Sequence, residues 1–169
     1  ILAVDADTGE YRWHYQTTPR DRWDYTATQQ IMLADLPLGE GGADRRVVMQ
    51  APKNGFFYVL DAEDGELISA TPFTNQNWTT GEFDENGRPV LVEEAVDLAL
   101  YAVIPGPTGA HNWHPMAFNP DTGLVYIPVN EIPFFYDKTR NVKDSKSFWN
   151  IGYDAAAGWP VEYPAGTLD

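Results

Sequence analysis

The chain has 169 residues, and its 25 acidic and 11 basic side chains give a formal net charge of −14. This balance excludes a nucleic-acid-binding protein, because such a protein needs a basic face to neutralise phosphates, and it disfavours contact with an anionic membrane surface. Cysteine is absent, so these residues supply no disulfide, no thiolate ligand and no C-x-x-C-H haem attachment. No run of about 18 apolar residues is present to cross a membrane.

Turn-forming and aromatic residues are frequent, with 14 Gly, 13 Pro and 14 % aromatic side chains. Gly and Pro break helices, so the composition argues against a helical bundle and favours short strands joined by turns. Residues 1–5 have the pattern of a buried strand, and the chain does not begin with methionine. We therefore expect the sequence to be an internal piece of a longer protein.

One strand–turn–strand pattern occurs three times along the chain. Its turns start at Asp5, Asp61 and Asn119, which are 56 and 58 residues apart, and each has a Gly four residues later. The Asp or Asn side chain can accept hydrogen bonds from backbone N–H groups of the turn, and Gly can adopt the positive φ that closes it. A fourth turn of similar type is predicted at 84–87.

The segments around these turns are predicted strands. In chain order the clearest are 46–51, 55–60 and 124–129, which are rich in apolar, β-branched and aromatic residues and are bounded by turn residues. Residues 93–100 are open to two interpretations, a short helix or a loop. The polar stretch 138–147 is predicted to be an exposed loop.

Hairpins that recur with a period near 57 residues fit the four-stranded antiparallel blades of a β-propeller. The alternative is a β-sandwich whose hairpins share their turn chemistry. We favour the propeller because the sequence of the turn recurs and not only its spacing. At this period residues 1–169 make about three blades of a single propeller domain, which is too few to close a ring.

Four segments resemble the pyrroloquinoline-quinone (PQQ) dependent alcohol dehydrogenases. Residues 3–13 fit the pattern Ala-x-Asp-x-x-Thr-Gly-x-x-x-Trp, which is the tryptophan-docking motif of quinoprotein propellers. Residues 17–29 resemble the family's active-site segment, residues 51–61 its cofactor-lysine segment, and residues 109–116 a third segment that contacts PQQ. The resemblance covers essentially the whole chain and extends to the quinohaemoprotein members, which carry a separate cytochrome c domain.

The resemblance implies an all-β fold that is part of an eight-bladed propeller of four-stranded antiparallel blades, located in the bacterial periplasm. It also implies one PQQ and one calcium ion near the ring axis, a primary alcohol as substrate, and a cytochrome c domain or protein as electron acceptor. A haem c domain would lie downstream of this chain. The alternatives are a non-catalytic propeller scaffold with the same repeats, and a related PQQ methanol or sugar dehydrogenase.

Asp24 is the first candidate for a catalytic residue. A carboxylate within hydrogen-bond reach can take the hydroxyl proton of an alcohol while a hydride leaves its carbon, and Asp24 matches the position of the family's catalytic Asp. The resemblance also makes Asp24 a candidate calcium ligand, since calcium prefers oxygen donors. Residue chemistry alone would favour a turn-capping role for Asp24. Asp21 is the competing acid, but its neighbours Arg20 and Arg22 indicate an exposed, ion-paired loop.

Lys53, Asn112 and Trp113 match positions at which the family binds PQQ. A fixed ammonium at Lys53 can donate to quinone oxygens and stabilise negative charge, whereas the alternative is a solvated surface lysine. Asn112 would contribute an amide hydrogen bond, and Trp113 ring packing or its indole N–H, unless Trp113 packs in the core. His111 and His114 flank them and are a weaker candidate for a metal site, because no third ligand is evident.

Thr26 bears on the identity of the metal. Family members that use a lanthanide place an extra Asp two residues after the catalytic one, and here that position is the neutral Thr26. The resemblance therefore implies calcium. Of the tryptophans, Trp13 and Trp78 are expected to pack between blades, and Trp23 is expected to shape the site.

Overall fold

The computed structural model describes residues 1–97 and 99–137, and the predicted loop 138–147 lies outside the described residues. The strands are β1 (Leu2–Val4), β2 (Tyr11–His14), β3 (Met32–Leu36), β4 (Arg45–Gln50), β5 (Phe56–Asp61), β6 (Leu67–Pro72), β7 (Thr79–Phe83), β8 (Pro89–Leu91), β9 (Ala99–Val103), β10 (Ala117–Asn119), β11 (Leu124–Tyr126) and β12 (Phe134–Asp137). A 3-10 turn (Glu40–Gly42) and one short helix, α1 (Glu93–Asp97), complete the regular structure of this part. Its helical segments are all too short to cross a membrane.

Strands β3 to β6 form a four-stranded antiparallel sheet in chain order. Met49 in β4 pairs with Met32 in β3 on one side and with Val59 in β5 on the other. The two central strands are buried along most of their length, which explains their continuous apolar and aromatic runs. This meander has the blade architecture that the repeat predicts.

The other described strands pair in four two-stranded antiparallel sheets, β1–β2, β7–β8, β9–β12 and β10–β11. The all-β prediction is confirmed, but of the expected three or so four-stranded blades the described residues contain one in complete form. The first repeat forms β1–β2 and the third forms β10–β11, each as a pair separate from the other strands of the described residues. The turn motif marks one hairpin of a blade and carries no information about the pairing of the other strands.

The four predicted turns are capped by their first residue. Its side-chain oxygen accepts a hydrogen bond from the backbone N–H two residues later, at 3.1 Å for Asp5, 2.6 Å for Asp61, 2.9 Å for Asp84 and 2.9 Å for Asn119. The glycine that follows has a positive φ in each turn. The turn chemistry read from the sequence is therefore confirmed.

The predicted strand bounds hold where the chain is buried. Segments 46–51 and 55–60 match β4 and β5 to within one residue, whereas 124–129 is shortened to β11. Pro128 has no N–H to donate to a strand ladder, which explains the early end. The ambiguous segment 93–100 divides into α1 and the first residues of β9.

Trp13 joins the first repeat to the second. Its indole Nε1 donates a 3.0 Å hydrogen bond to the carbonyl of Ala62, and its ring lies over Gly65, where a Cβ would come within 2.5 Å of the ring carbon Cε3. Both contacts are made to the turn between β5 and β6. The prediction that Trp13 packs between consecutive repeats is confirmed.

Trp78 lies at the centre of an aromatic core. It is fully buried, and its ring centroid lies 5.6 Å from those of Trp23 and Tyr25 and 6.0 Å from that of Phe56. The rings meet in tilted and edge-on arrangements, which are favourable for aromatic pairs. The cluster packs β5 against the segment that carries residues 23–25, and so supports the candidate site from behind.

Candidate functional site

Asp24 lies in the irregular segment between β2 and β3. Its φ is +65°, a left-handed conformation that Asp tolerates better than most residues. Both neighbours, Trp23 and Tyr25, are fully buried, whereas the Asp24 side chain is 68 % exposed. The chain therefore presents a carboxylate to solvent between two buried aromatic side chains.

These two aromatic neighbours are tied to other elements. The indole of Trp23 donates a 3.2 Å hydrogen bond to the carbonyl of Ala95 in α1, and the hydroxyl of Tyr25 donates to the carbonyl of Pro105. Burial raises the pKa of Tyr25 far above its usual value, so the hydroxyl stays protonated as a donor. The backbone is thus fixed on both sides of Asp24.

Lys53, in the loop between β4 and β5, lies directly against Asp24. Its Nζ donates to the main-chain oxygen of Asp24 at 3.0 Å and to Oδ2 of the same residue at 3.2 Å. The Lys53 side chain is 10 % exposed, which excludes the alternative of a solvated surface lysine. An ammonium has three N–H donors, so the described residues leave one of them for a ligand.

The third candidate segment lies against the same loop. The N–H of Ala110 donates to the carbonyl of Lys53 at 2.9 Å. Gly109 approaches so closely that a Cβ there would lie 2.7 Å from the Cβ of Lys53, and its φ is +82°, so both the space and the backbone conformation require glycine. Three segments that are distant in sequence therefore converge on Lys53.

Asn112 and Trp113 follow Gly109 in this third segment. Nδ2 of Asn112 donates to the carbonyl of Thr108 at 2.8 Å, whereas Oδ1 is buried without a hydrogen-bond partner in the described structure. Trp113 is 82 % exposed, which excludes the alternative that it packs in the core. The Trp113 ring offers a surface that a bound group can cover, and neither side chain makes a hydrogen bond to Asp24 or Lys53 within residues 1–97 and 99–137.

His111 anchors this segment and has no nitrogen free for a metal. Its Nδ1 lies 2.5 Å from the carbonyl oxygen of Ala51 and its Nε2 lies 2.7 Å from that of His114. The part of the chain that the structure describes also holds no group of three or more His, Cys, Asp or Glu side chains placed to bind a metal. The weaker alternative of a metal site at the two histidines is therefore not supported.

Asp21 has a structural role. Its Oδ1 accepts a 2.9 Å hydrogen bond from the N–H of Trp23, which caps the turn before Asp24. Arg20 forms an ion pair with Glu93 at 3.3 Å, and both side chains are mostly exposed. The stretch is thus exposed and is ion-paired at Arg20, as the sequence indicates, whereas Asp21 itself bonds to the backbone.

Asn54 is not among the residues that the sequence singles out, yet it is fully buried beside Lys53. Its side-chain amide hydrogen-bonds to the segment 17–18, which leads to Asp24. In the sequence, Asn54 stands between Lys53 and Gly55 and has the pattern of an ordinary turn residue. The one signal for it is its position directly after the candidate lysine.

Residues 1–82 match the PQQ family described as the glucose/ethanol/alcohol dehydrogenase β-propeller domain. Residues 1–82 belong to the PQQ β-propeller family. The match includes Asp24 and Lys53 and ends before the third segment.

Two relatives cover almost the whole chain. It is similar to the quinohemoprotein alcohol dehydrogenase of Comamonas testosteroni, with 52 % identity over 178 residues that cover 99 % of this chain and 25 % of that protein. It is also similar to the 1-butanol dehydrogenase (cytochrome c) of Thauera butanivorans, with 44 % identity over 178 residues and the same two coverages. The chain therefore spans about a quarter of the length of these relatives.

Solved structures of the family share the fold. Quinohemoprotein alcohol dehydrogenase ADHIIG from Pseudomonas putida HK5 superimposes with a TM-score of 0.80 at 47 % identity, over 90 % of this chain and 23 % of that one. A europium-containing methanol dehydrogenase superimposes with a TM-score of 0.68 at 37 % identity, over 76 % of this chain and 23 % of that one. The predicted propeller fold is confirmed.

Residues of the three segments offer groups that fit the chemistry of PQQ, a planar quinone with three carboxylates and a pyrrole N–H. Lys53 offers a cation with an unused N–H, Asn112 an unpaired acceptor, and Trp113 an exposed ring. For a metal ion, Asp24 offers one exposed carboxylate. Calcium takes six to eight oxygen ligands, so the described residues would supply a minority of them.

Proposed function

We propose that the full-length protein oxidises primary alcohols to aldehydes with PQQ as cofactor. The observation that carries the proposal is the exposed carboxylate of Asp24, held 3.2 Å from the largely buried ammonium of Lys53 where three segments converge. The names of the relatives, which are alcohol dehydrogenases, support it. A non-catalytic scaffold has no need of this pair.

Asp24 is the proposed general base. Lys53 binds its Oδ2, which leaves Oδ1 to accept the hydroxyl proton of the alcohol. The remaining N–H of Lys53 can stabilise negative charge on an oxygen of the bound group. When bound, PQQ and its metal ion supply a hydride acceptor and a Lewis acid.

Calcium is the proposed metal, with Asp24 as one ligand. Its support is Thr26, which is neutral and exposed at the position where the resemblance places an extra acid in lanthanide-using members. The europium-containing structural neighbour makes a lanthanide the alternative to test. Metal-free protein should regain activity with calcium, and strict dependence on a lanthanide would reject this assignment.

The remaining partners are proposed from the resemblance and from the relatives' names. Those names mention haem and cytochrome c, which supports a cytochrome c domain or protein as the electron acceptor. A methanol or sugar dehydrogenase is the alternative within the family. The periplasm is the proposed compartment, and it is supported by the resemblance alone.

The test is reconstitution of the full-length protein with PQQ and calcium, followed by dye-linked alcohol oxidation. Asp24→Asn should lower turnover by about 10²- to 10⁴-fold through loss of the base, while PQQ binding changes little. Asp21→Asn is the matched control, since it removes a charge three residues away and keeps the cap. Turnover that survives in Asp24→Asn rejects the base, and a folded, PQQ-loaded wild type without activity rejects the function.

A further inference from the structure

Asn54 connects the lysine loop to the segment that leads to Asp24. Its Nδ2 lies 3.1 Å from the carbonyl oxygen of Thr17 and from the hydroxyl of Thr18, and 2.9 Å from the hydroxyl of Tyr58. The two N–H groups of the amide are shared among these three acceptors. The Tyr58 hydroxyl itself donates to the Thr17 carbonyl at 2.9 Å. Three buried side chains, those of Asn54, Thr18 and Tyr58, and the main-chain carbonyl of Thr17 thus form one hydrogen-bonded network, with the amide of Asn54 at its centre.

The other polar atoms of Asn54 are used as well. Its Oδ1 accepts a 3.2 Å hydrogen bond from the N–H of Phe56, which holds the loop closed onto β5. Its main-chain oxygen accepts a 2.9 Å hydrogen bond from the indole of Trp78, whose ring packs on Trp23 and Tyr25. Asn54 therefore reaches the Asp24 segment by two routes, one through residues 17–18 and one through both neighbours of Asp24.

We infer that Asn54 is a positioning residue that holds the ammonium of Lys53 against Asp24. It is adjacent to Lys53 in sequence, and all of its side-chain hydrogen-bonding groups are directed at the two segments that must stay in register. Because the side chain is buried, it cannot contact an alcohol and acts only through its neighbours. The effect expected on catalysis rests on the proposed function, whereas the link that Asn54 makes between the two segments does not.

The chemistry of the site favours an amide at this position. Thr17 presents a carbonyl, which needs a donor, and Phe56 presents an N–H, which needs an acceptor. A buried group left without its partner is costly, and an aliphatic residue would leave the Phe56 N–H without its acceptor and the Thr17 carbonyl with the Tyr58 hydroxyl as its remaining donor. Burial also raises the pKa of Tyr58 well above its usual value, so its hydroxyl remains protonated and can donate to the Thr17 carbonyl.

The test uses the full-length, PQQ-loaded protein and the variants Asn54→Ala, Lys53→Met and the double variant. Asn54→Ala should lower kcat by roughly 10- to 100-fold, as expected for a displaced catalytic group, with KM for the alcohol within about twofold. In the Lys53→Met background, Asn54→Ala should lower kcat little further, because the effects of residues that act as a unit are not additive. Tyr58→Phe, which removes only the bridging hydroxyl, is the milder variant and should lower kcat less.

A matched control separates positioning from general loss of stability. Trp13→Phe also removes a side-chain hydrogen bond to a carbonyl, that of Ala62 in the turn between β5 and β6, and not one to the Asn54 network. It should lower the melting temperature without changing kcat. The inference is overturned if the effects of the two substitutions on kcat are purely additive in the double variant. It is also overturned if Asn54→Ala lowers the melting temperature while kcat stays constant.

Amide hydrogen exchange of the PQQ-free protein gives a readout that does not depend on activity. Asn54→Ala should speed exchange in both 17–25 and 53–56, whereas Trp13→Phe should speed it around 62–65. If exchange in 17–25 is unchanged by Asn54→Ala, the linkage is absent and the inference fails. If the wild type shows no alcohol oxidation, the proposed function fails while this measurement still decides the linkage.

Discussion

Replacing Gly65 by alanine tests the contact between consecutive repeats. Gly65 has a φ of +79°, and a Cβ there would lie 2.5 Å from Cε3 and 2.8 Å from Cδ2 of the Trp13 ring. Both distances are far inside the 3.5–4.0 Å of a favourable carbon–carbon contact. Either the indole or the turn must move, and the Trp13–Ala62 hydrogen bond of 3.0 Å moves with it.

Gly9 provides a matched control, because it occupies the equivalent position of the first turn. Its φ is +73°, and nothing lies within 4 Å of a Cβ placed there. An L residue in the left-handed region costs roughly 1–2 kcal/mol in either turn, and overpacking adds about 1–3 kcal/mol at Gly65 alone. We expect Gly9→Ala to lose about 1–2 kcal/mol and Gly65→Ala about 2–5 kcal/mol of unfolding free energy.

Urea unfolding of the full-length variants measures the difference, provided that the slopes are equal. In a Trp13→Ala background the clash is absent, so Gly65→Ala should then cost only as much as Gly9→Ala. This double-mutant cycle isolates the contact from the strain of the turn. Equal losses for Gly9→Ala and Gly65→Ala in the wild-type background would refute the packing of Trp13 on the second turn.

Two further predictions concern charge and space. The hydrogen bond from Arg12 is the largest of the causes, followed by bonds from the turn, that lower the pKa of Asp5 from 3.8 to about 2. The folded state therefore favours the carboxylate. The stability lost in Asp5→Ala should be greatest above about pH 5 and should shrink as the pH falls toward 2. A loss that persists at pH 2 contradicts this assignment. Gly109→Ala should weaken PQQ binding about tenfold or more, because its Cβ displaces Lys53. Gly123→Ala is the control and should not weaken it, since Gly123 has a φ of +69° and open space around a Cβ. Equal PQQ affinities of the two variants would contradict the close approach of Gly109 to Lys53.

The turns could be predicted from the sequence because their chemistry is local. Asp5, Asp61 and Asn119 each bond to a backbone N–H only two residues away, and the glycine needed by the backbone follows within the same motif. The pairing of the strands depends on contacts far along the chain. The repeat therefore located the hairpins correctly but did not reveal that the described residues form one four-stranded sheet and several pairs.

The candidate site shows the same division. Asp24, Lys53, Asn112 and Trp113 were identified by resemblance, and the contact between the first two spans 29 residues, which no local pattern encodes. Asn54 could not be predicted as a site residue, because Asn next to Gly is typical of an exposed turn. Its burial arises only when β4, β5 and the segment 17–18 pack together.

The strained backbone of Asp24 is held by its neighbours rather than by Asp24 itself. A left-handed Asp costs roughly 1–2 kcal/mol at most, whereas burying a large side chain such as Trp23 or Tyr25 contributes on the order of 2 kcal/mol or more each. The two anchors therefore outweigh the strain between them, and they do so without involving the carboxylate. Because Asn also tolerates positive φ, Asp24→Asn changes the chemistry of the site while the conformation stays set by residues 23 and 25. Replacing Asp24 by Asn thus leaves the backbone set by its neighbours, which is why loss of turnover in that variant can be assigned to the carboxylate, as base or as proposed calcium ligand, and not to the backbone.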